Sequence, residues 1–240
     1  MKITVQREAI VEYEVDMQDA TLLAVLQKIK TTQDSTLTFA SGCKSSVCGS
    51  CAMRVNGREV LACAHKVQDG DLIEPLKNSP VIRDLVVDMD NAYRFNAKAK
   101  AWQSVSSLVE GSLSPSIRLT QENEKINEIQ SDCILCGSCH SACPVYAVND
   151  EFLGPFSLTR VWKYVSDVRE ESPDEKIDTI QTNGIWDCTL CNECTLVCPQ
   201  NISSKSDIEK LRSKSAQKGY MDPNMSSFGG GFGFDGSPSF

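Results

Sequence analysis

Residues 133–144 read CILCGSCHSACP, and residues 188–199 repeat the same pattern as CTLCNECTLVCP. Each run spaces its cysteines as C-x2-C-x2-C-x3-C-P, a pattern typical of proteins with two [4Fe–4S] clusters, in which the fourth cysteine of a run binds the other cluster. The pattern therefore predicts two crossed ligand sets: Cys133, Cys136, Cys139 and Cys198 for one cluster, and Cys143, Cys188, Cys191 and Cys194 for the other. Because the crossover joins distant segments, folding is expected to depend on cluster insertion.

A third group of cysteines lies towards the N-terminus and has the plant-type spacing of a [2Fe–2S] cluster. Its members are Cys43, Cys48, Cys51 and Cys63. The loop between the first three is rich in glycine and serine, so its backbone N–H groups are able to approach the sulfurs closely. Structural zinc sites usually pair two short C-x2–4-C segments, which this spacing fits poorly. The three groups together account for all twelve cysteines.

Composition excludes several functional classes. The chain has 24 basic and 32 acidic residues and a net charge of −8, without a basic run, which argues against nucleic-acid binding. We find no nucleotide-binding glycine motif and no pairing of a nucleophile with a base. His65 and His140 each lie near a cysteine group, where hydrogen bonding or solvation is the expected role. The sequence thus indicates an electron-transfer chain that carries no substrate site.

The N-terminal sequence MKITVQREAIVEYEV alternates polar and apolar residues and predicts a strand, not a signal peptide. No segment approaches the ~18 consecutive apolar residues of a membrane span. The chain is therefore expected to be soluble, or peripheral to a membrane through its partners. Without an export signal, cysteines are more often metal ligands than disulfides.

Local patterns divide the chain. Apolar residues at helical spacing predict a helix over Leu22–Ile29 with Asp19 as its N-cap, and Asn56-Gly57 predicts a two-residue hairpin turn. A second helix is expected over Leu158–Val168, between Pro155 and Pro173. Four regions follow: a small mixed-sheet domain at 1–97, a polar connector at 98–129, a two-cluster domain at 130–212 and a flexible Gly/Ser/Phe-rich tail at 213–240.

Three segments in order, TLLAVLQKIKTTQDSTLTFASGCKSSVCGSCAMRVNG, SPVIRDLVVDMD and CILCGSCHSACP, resemble the iron–sulfur subunit of succinate dehydrogenases and fumarate reductases. The similarity covers about residues 2–212. It implies an α+β architecture: an N-terminal β-grasp [2Fe–2S] ferredoxin domain and a C-terminal all-α domain like that of bacterial ferredoxins. It also implies a flavoprotein partner with covalent FAD that interconverts succinate and fumarate, with electrons passing through three clusters between this flavin and a quinone.

The chain departs from the usual family pattern at three places. Cys191 stands where well-studied members lack a cysteine and carry a [3Fe–4S] cluster, so a [4Fe–4S] cluster is predicted here. The quinone-facing tryptophans and the histidine found at the position of Thr189 are absent. Ser46 replaces the glycine usual in the first loop, a small change expected to be tolerated. The first two departures resemble the branch whose membrane partner is a cysteine-rich subunit like that of heterodisulfide reductase, which often serves menaquinol-type quinols and fumarate.

Two rival interpretations remain open. One is the iron–sulfur subunit of another flavoprotein complex, such as a thiol-driven fumarate reductase or a glycolate oxidase. The other is a zinc-stabilised interaction module. The expected location is the periphery of the cell membrane as part of a complex, on the cytoplasmic side by default, or on the periplasmic side if the subunit is exported with its flavoprotein.

Overall fold

The computed structural model describes residues 1–104 and 120–223. The N-terminal part contains seven strands and one helix, in the order β1 (Lys2–Gln6), β2 (Ile10–Glu14), α1 (Leu22–Thr32), β3 (Ala52–Val55), β4 (Arg58–Leu61), β5 (Leu72–Glu74), β6 (Val81–Arg83) and β7 (Val86–Val87). The part that follows is helical: α2 (Asp90–Lys98), α3 (Gln121–Lys125), α4 (Glu128–Ser131), α5 (Ser138–Ser141), α6 (Gly154–Val165), α7 (Pro173–Thr179), α8 (Glu193–Leu196) and α9 (Ser204–Gln217). The predicted α+β class is confirmed.

The main sheet is mixed, with strand order β2-β1-β5-β3-β4. Strands β1 and β5 are parallel, whereas the other neighbouring pairs are antiparallel. Helix α1 covers one face, because its apolar residues recur at helical spacing and five of them are buried: Leu22, Leu23, Val25, Leu26 and Ile29. This arrangement is the β-grasp fold that the family resemblance implies.

Helix α1 begins at Leu22, and its N-cap differs from the predicted one. The side chain of Thr21, not that of Asp19, accepts the N–H of Ala24 at 3.3 Å. Asp19 has a φ of 50° and lies two residues before the true N-cap. A threonine hydroxyl is also able to satisfy this N–H, so the cap residue depends on where the first turn starts.

The β3–β4 hairpin has the predicted turn. Asn56 and Gly57 both have positive φ, 50° and 83°, as a type I′ turn requires. Val55 therefore pairs with Arg58, and Ala52 pairs with Leu61. The hairpin returns the chain to the cysteine loop that precedes β3.

The helical part has its own apolar core, in which α6 packs against α2 and α9. Helix α6 begins at Gly154, four residues before the predicted start, and Pro155 lies in its first turn. A proline is tolerated there because the first turn of a helix does not use its backbone N–H groups. Pro155 thus lies inside the helix, and not before it as its position next to Leu158–Val168 had predicted.

Two predicted boundaries fall inside helices. Position 97/98 divides α2, whose Phe95 is fully buried in the helical core, and position 212 lies within α9. Beyond α9, the Tyr220 hydroxyl donates to Asp178 at 2.8 Å, so the start of the predicted tail packs on the fold. Residues 105–119 of the predicted connector and 224–240 of the tail lie outside the described residues.

The start of the connector is anchored by a buried ion pair. Lys176 lies 3.1 Å from Glu170, and both side chains are almost completely buried. Ser104 completes the cluster, because its hydroxyl accepts from Lys176 and its N–H donates to Glu170. Each buried charge thus has a partner, as burial requires.

Asp207 in α9 is a buried carboxyl whose charge the fold does not fully compensate. It accepts a hydrogen bond from Gln130 at 2.9 Å and is 1% exposed. Burial raises the pKa of Asp207 to about 6. The pKa of Asp207 is thus higher in the folded chain than in the unfolded chain. At pH values between the two pKa values the folded chain binds more protons, so the free energy of unfolding falls as the pH rises towards and through 6.

We therefore predict that Asp207→Asn stabilises the chain at pH 8 by about 2–3 kcal/mol, since about 1.4 kcal/mol accompanies each pKa unit. This gain should fall by about half at pH 5, where the wild-type carboxyl is already mostly protonated when folded. Thermal unfolding of both proteins across this pH range provides the measurement. Glu209→Gln, on an exposed part of the same helix, is the control and should show no such trend. A pH-independent gain would contradict the prediction.

Candidate iron–sulfur sites

The first cysteine group surrounds the loop that precedes β3. Cys43 and Cys48 are exposed, Cys51 is buried at the end of the loop, and Cys63 follows β4 on the far arm of the hairpin. Backbone N–H groups of the loop point at the sulfurs: Cys43 N–H to Cys48 Sγ (3.3 Å), Ser45 and Val47 N–H to Cys43 Sγ (3.3 and 3.4 Å), and Ser46 N–H to Cys63 Sγ (3.3 Å). Such donors stabilise negative charge on thiolate sulfur.

The electrostatics of this loop are uneven. Hydrogen bonds from Ser50 and from backbone N–H groups lower the pKa of Cys48 to about 6. Burial raises the pKa of Cys51 to about 11. Burial also acts to raise the pKa of Cys63, but hydrogen bonds led by that of Ser46 outweigh it and the net direction is downward. Cys48 therefore favours the thiolate at neutral pH before any metal binds.

The two C-x2-C-x2-C-x3-C-P runs fold alike. Leu135 and Leu190 occupy equivalent positions and have φ values of 55° and 56°. Gly137 and Asn192 are also equivalent, with φ values of 79° and 74°, and each precedes a short helix, α5 or α8. These left-handed residues turn the backbone around the first two cysteines of each run, as the N–H of Leu190, 3.4 Å from Cys188 Sγ, illustrates.

Each predicted crossed set lines one cavity. The lining of the first cavity includes Cys133, Cys136, Cys139 and Cys198. The lining of the second includes Cys143, Cys188, Cys191 and Cys194. The fold thus brings together the members of both sets, although 65 residues separate Cys133 from Cys198 in the chain.

Among the cavity cysteines, Cys143 and Cys194 are buried, Cys191 is exposed and the others are partly exposed. Burial raises the pKa of Cys143 to about 11 and that of Cys194 to about 12, and raises the pKa of Cys139 well above its usual value. Thiols in this state stay protonated at neutral pH. Iron binding must displace these protons, so cluster assembly and the closure of the cavities are coupled.

The donor sets fit iron–sulfur clusters better than single ions. Within residues 1–104 and 120–223, no three His, Cys, Asp or Glu side chains converge tightly enough to hold one metal ion. The cysteines of each predicted set instead line one cavity, with N–H groups directed at sulfur. A zinc ion needs its ligands in one tetrahedral sphere with Zn–S bonds of about 2.3 Å, an arrangement that the described residues do not show.

The three sites are adjacent in a fixed order. The first loop meets the first cavity at Gly49, whose Cα lies against the backbone of Ile134 and Cys136. Gln200, two residues after Cys198, also donates from Nε2 to the carbonyl of Ser46 at 3.3 Å. Pro155 lines both the first and the second cavity. The [2Fe–2S] loop therefore neighbours the first cavity, which in turn neighbours the second.

Several residues that support the sites were not found by sequence reasoning. Asn78 donates from Nδ2 to the carbonyls of His140, Ser141 and Cys143, at 2.8, 3.0 and 3.1 Å. Glu59 accepts from the Ser141 hydroxyl at 2.7 Å. All these contacts join residues more than 60 positions apart, so no local pattern reports them.

Of the two histidines, His140 has a structural contact. It is 1% exposed, and its Nε2 lies 2.9 Å from the carbonyl of Asn78. Burial lowers the pKa of His140, so the neutral ring is favoured and Nε2–H donates. Hydrogen bonding rather than solvation is therefore its role. His65 is partly exposed, 3.9 Å from Asp71.

Comparisons with known proteins agree with this geometry. A family model described as a 2Fe-2S iron-sulfur cluster binding domain matches residues 2–94, and one described as a 4Fe-4S dicluster domain matches residues 129–202. The 8-methylmenaquinol:fumarate reductase iron-sulfur subunit of Wolinella succinogenes is 38% identical over 85% of this chain and 66% of its own length. The fumarate reductase iron-sulfur subunit of Haemophilus influenzae is 33% identical over 85% of this chain and 86% of its own length.

The fold has a solved counterpart as well. A chain of the Mycobacterium smegmatis Sdh1 complex in the apo form superposes with a TM-score of 0.81 and 26% identity, covering 92% of this chain and 98% of that one. This chain spans 66% of the length of the Wolinella succinogenes relative and 45% of another relative.

We predict that Gly49→Ala weakens the junction between the first loop and the first cavity. An added Cβ would lie 2.8 Å from the carbonyl oxygen of Ile134 and 2.9 Å from the Cα of Cys136, and the φ of +72° already disfavours alanine. The left-handed backbone alone costs about 1–2 kcal/mol, and the backbone clash adds to it.

The matched control is Gly70→Ala, where φ is +86° and an added Cβ meets nothing within 4 Å. Thermal unfolding of the cluster-loaded chain should show the larger loss for Gly49→Ala. Equal losses for the two variants would mean that close approach at Gly49 has no energetic weight.

Proposed function

The chain belongs to the family of iron–sulfur subunits of fumarate reductases and succinate dehydrogenases, and we propose that it relays electrons between the FAD of a fumarate- and succinate-active flavoprotein and a quinone-reactive, membrane-associated subunit. In this role the chain has no substrate site of its own. Its residues hold three redox centres at fixed spacing inside a larger complex.

One observation supports this proposal most strongly: the three cysteine groups lie next to one another in a fixed order. The [2Fe–2S] loop touches the wall of the first cavity through Gly49, and Pro155 lines both cavities. We propose that the ligands are those of the predicted sets: Cys43, Cys48, Cys51 and Cys63; Cys133, Cys136, Cys139 and Cys198; and Cys143, Cys188, Cys191 and Cys194. When bound, the clusters supply one-electron centres.

The protein's own contribution is to hold thiolates, direct N–H groups at sulfur and exclude water. Ile202 N–H, for example, donates to Cys198 Sγ at 3.3 Å. The low exposure of Cys143 and Cys194 keeps solvent from these two ligands. Both factors set a cluster's reduction potential.

The presence of Cys191 supports assignment of the chain to the family branch whose third cluster is a [4Fe–4S] cluster. Its thiol faces the second cavity beside Leu190 and Asn192. We propose that the membrane-side partner is the cysteine-rich subunit of that branch and that a menaquinol-type quinol donates the electrons; the name of the Wolinella succinogenes relative is consistent with this choice.

No helix in the described residues is long and apolar enough to cross a bilayer. We therefore propose that the chain reaches the membrane through its partners, on the cytoplasmic side unless exported with the flavoprotein.

The first test is an iron count with electron paramagnetic resonance (EPR) spectroscopy on the anaerobically purified chain. The proposed ligand sets require about ten irons per chain and no [3Fe–4S] signal in the oxidised state. Zinc without visible absorbance would instead establish an interaction module and refute the electron-transfer role.

Cys191→Ser tests the ligand that distinguishes this chain. We expect about nine irons and a [3Fe–4S] signal after oxidation, because the fourth iron loses its thiolate. Asn192→Gly, in the same loop at a φ of 74° that suits glycine, is the control and should keep the wild-type iron content. A wild-type spectrum in Cys191→Ser would show that this thiol does not bind iron.

Affinity purification of the tagged chain from its native cells identifies the partner. The proposed function requires a flavoprotein with covalent FAD that turns over succinate or fumarate with a quinone analogue. A co-purified flavoprotein that oxidises glycolate, or that reduces fumarate with thiols, would support the rival flavoprotein complexes instead.

A further inference from the structure

Ser46 makes two contacts with one sulfur of the [2Fe–2S] site. Its backbone N–H donates to Cys63 Sγ over 3.3 Å, and its hydroxyl oxygen lies 3.4 Å from the same sulfur. In a free thiol either the hydroxyl or the S–H is able to donate. A cysteine that binds iron has lost its proton, so in the loaded protein the Ser46 hydroxyl must be the donor.

The backbone conformation of Ser46 would better suit glycine. Its φ is +60°, a region that residues with a side chain rarely occupy. The hydroxyl reaches Cys63 only because the chain accepts a β-carbon in this conformation. The strained residue thus supplies a contact that glycine at the same place lacks.

The neighbouring part of the fold holds Ser46 from the other side. Gln200 donates from Nε2 to the Ser46 carbonyl at 3.3 Å. Arg58 donates to the carbonyl of Leu196 at 3.4 Å, which fixes the same segment against β4. Ser46 therefore lies between Cys63 of the first site and the Cys198 segment of the first cavity.

We propose that Ser46 raises the reduction potential of the [2Fe–2S] centre by donating its hydroxyl hydrogen to Cys63, and that Gln200 keeps it in position. The inference rests on the proposed ligation of this centre by Cys63. Reduction adds one electron and hence one negative charge. A donor aimed at a ligand sulfur consequently stabilises the reduced state more than the oxidised state.

The test is a potentiometric titration of the full, cluster-loaded chain, in which EPR spectroscopy measures the reduced [2Fe–2S] centre. In Ser46→Ala we expect the ratio of reduced to oxidised centre at a fixed potential to fall about tenfold, which corresponds to a midpoint 59 mV lower for one electron. The two other clusters serve as internal references and should keep their midpoints.

Ser45→Ala is the matched control. Its hydroxyl is adjacent in the same loop but donates to the carbonyl of Cys43 at 3.2 Å, not to a sulfur. Its midpoint should equal that of the wild type. Ser46→Gly shows whether a lower midpoint in Ser46→Ala comes from a folding defect. Glycine suits the φ of +60° and keeps the N–H donor, and it lacks only the hydroxyl. This variant should show the same lowered midpoint as Ser46→Ala.

A spectroscopic signature separates the hydroxyl from a merely structural role. In D₂O, pulsed EPR of the reduced centre should detect one fewer coupled exchangeable deuteron in both Ser46 variants than in the wild type and Ser45→Ala. Gln200→Ala should lower the midpoint by a smaller amount and add nothing when combined with Ser46→Ala. An unchanged midpoint in Gln200→Ala would refute its positioning role.

Midpoints of both Ser46 variants equal to the wild type, or an equal drop in Ser45→Ala, would overturn the proposal. Absence of the [2Fe–2S] spectrum from the wild-type protein would instead refute the ligand assignment of the proposed function. The two failures are thus distinguishable.

Discussion

The structure of the helical half depends on one constraint: two cysteine runs that are distant in sequence must lie close together. Cys198 joins the cavity of the first run, and Cys143 joins the cavity of the second. Closing loops of this length costs conformational entropy, and burying thiols raises their pKa and adds no favourable charge interaction. With the proposed ligands, iron–sulfur bonds would compensate for both costs.

The same constraint explains the backbone of the two runs. Left-handed residues at equivalent positions, Leu135 with Leu190 and Gly137 with Asn192, turn the chain so that N–H groups face sulfur. Leucine and asparagine accept this conformation at three of these four positions although glycine would suit it better. The requirement for sulfur-directed donors therefore outweighs local backbone preference, as it also does at Ser46.

Hydrogen bonds and a close approach of two backbones join the two halves of the chain. Gly49 allows backbone to meet backbone, Asn78 holds three carbonyls of the α5 segment, and Gln200 holds Ser46. Each of these residues acts within a few Å of a cysteine segment. An electron relay needs fixed spacing between its centres, and hydrogen bonds of defined length provide it more directly than side-chain packing alone.

The sequence by itself determined the three cysteine groups, the Asn56-Gly57 turn and the buried face of α1, which all follow from short-range spacing, and it predicted the crossed ligand sets from the same spacing. Spacing of this kind is local, because a few residues fix a turn or a helix face. Tertiary structure decided that Thr21 caps α1, that α2 and the end of α9 pack within the helical half, and that Ser46 meets both Cys63 and Gln200. These outcomes depend on how two folded regions dock, and docking pairs atoms that lie many tens of residues apart, for which a single sequence carries no periodic signal.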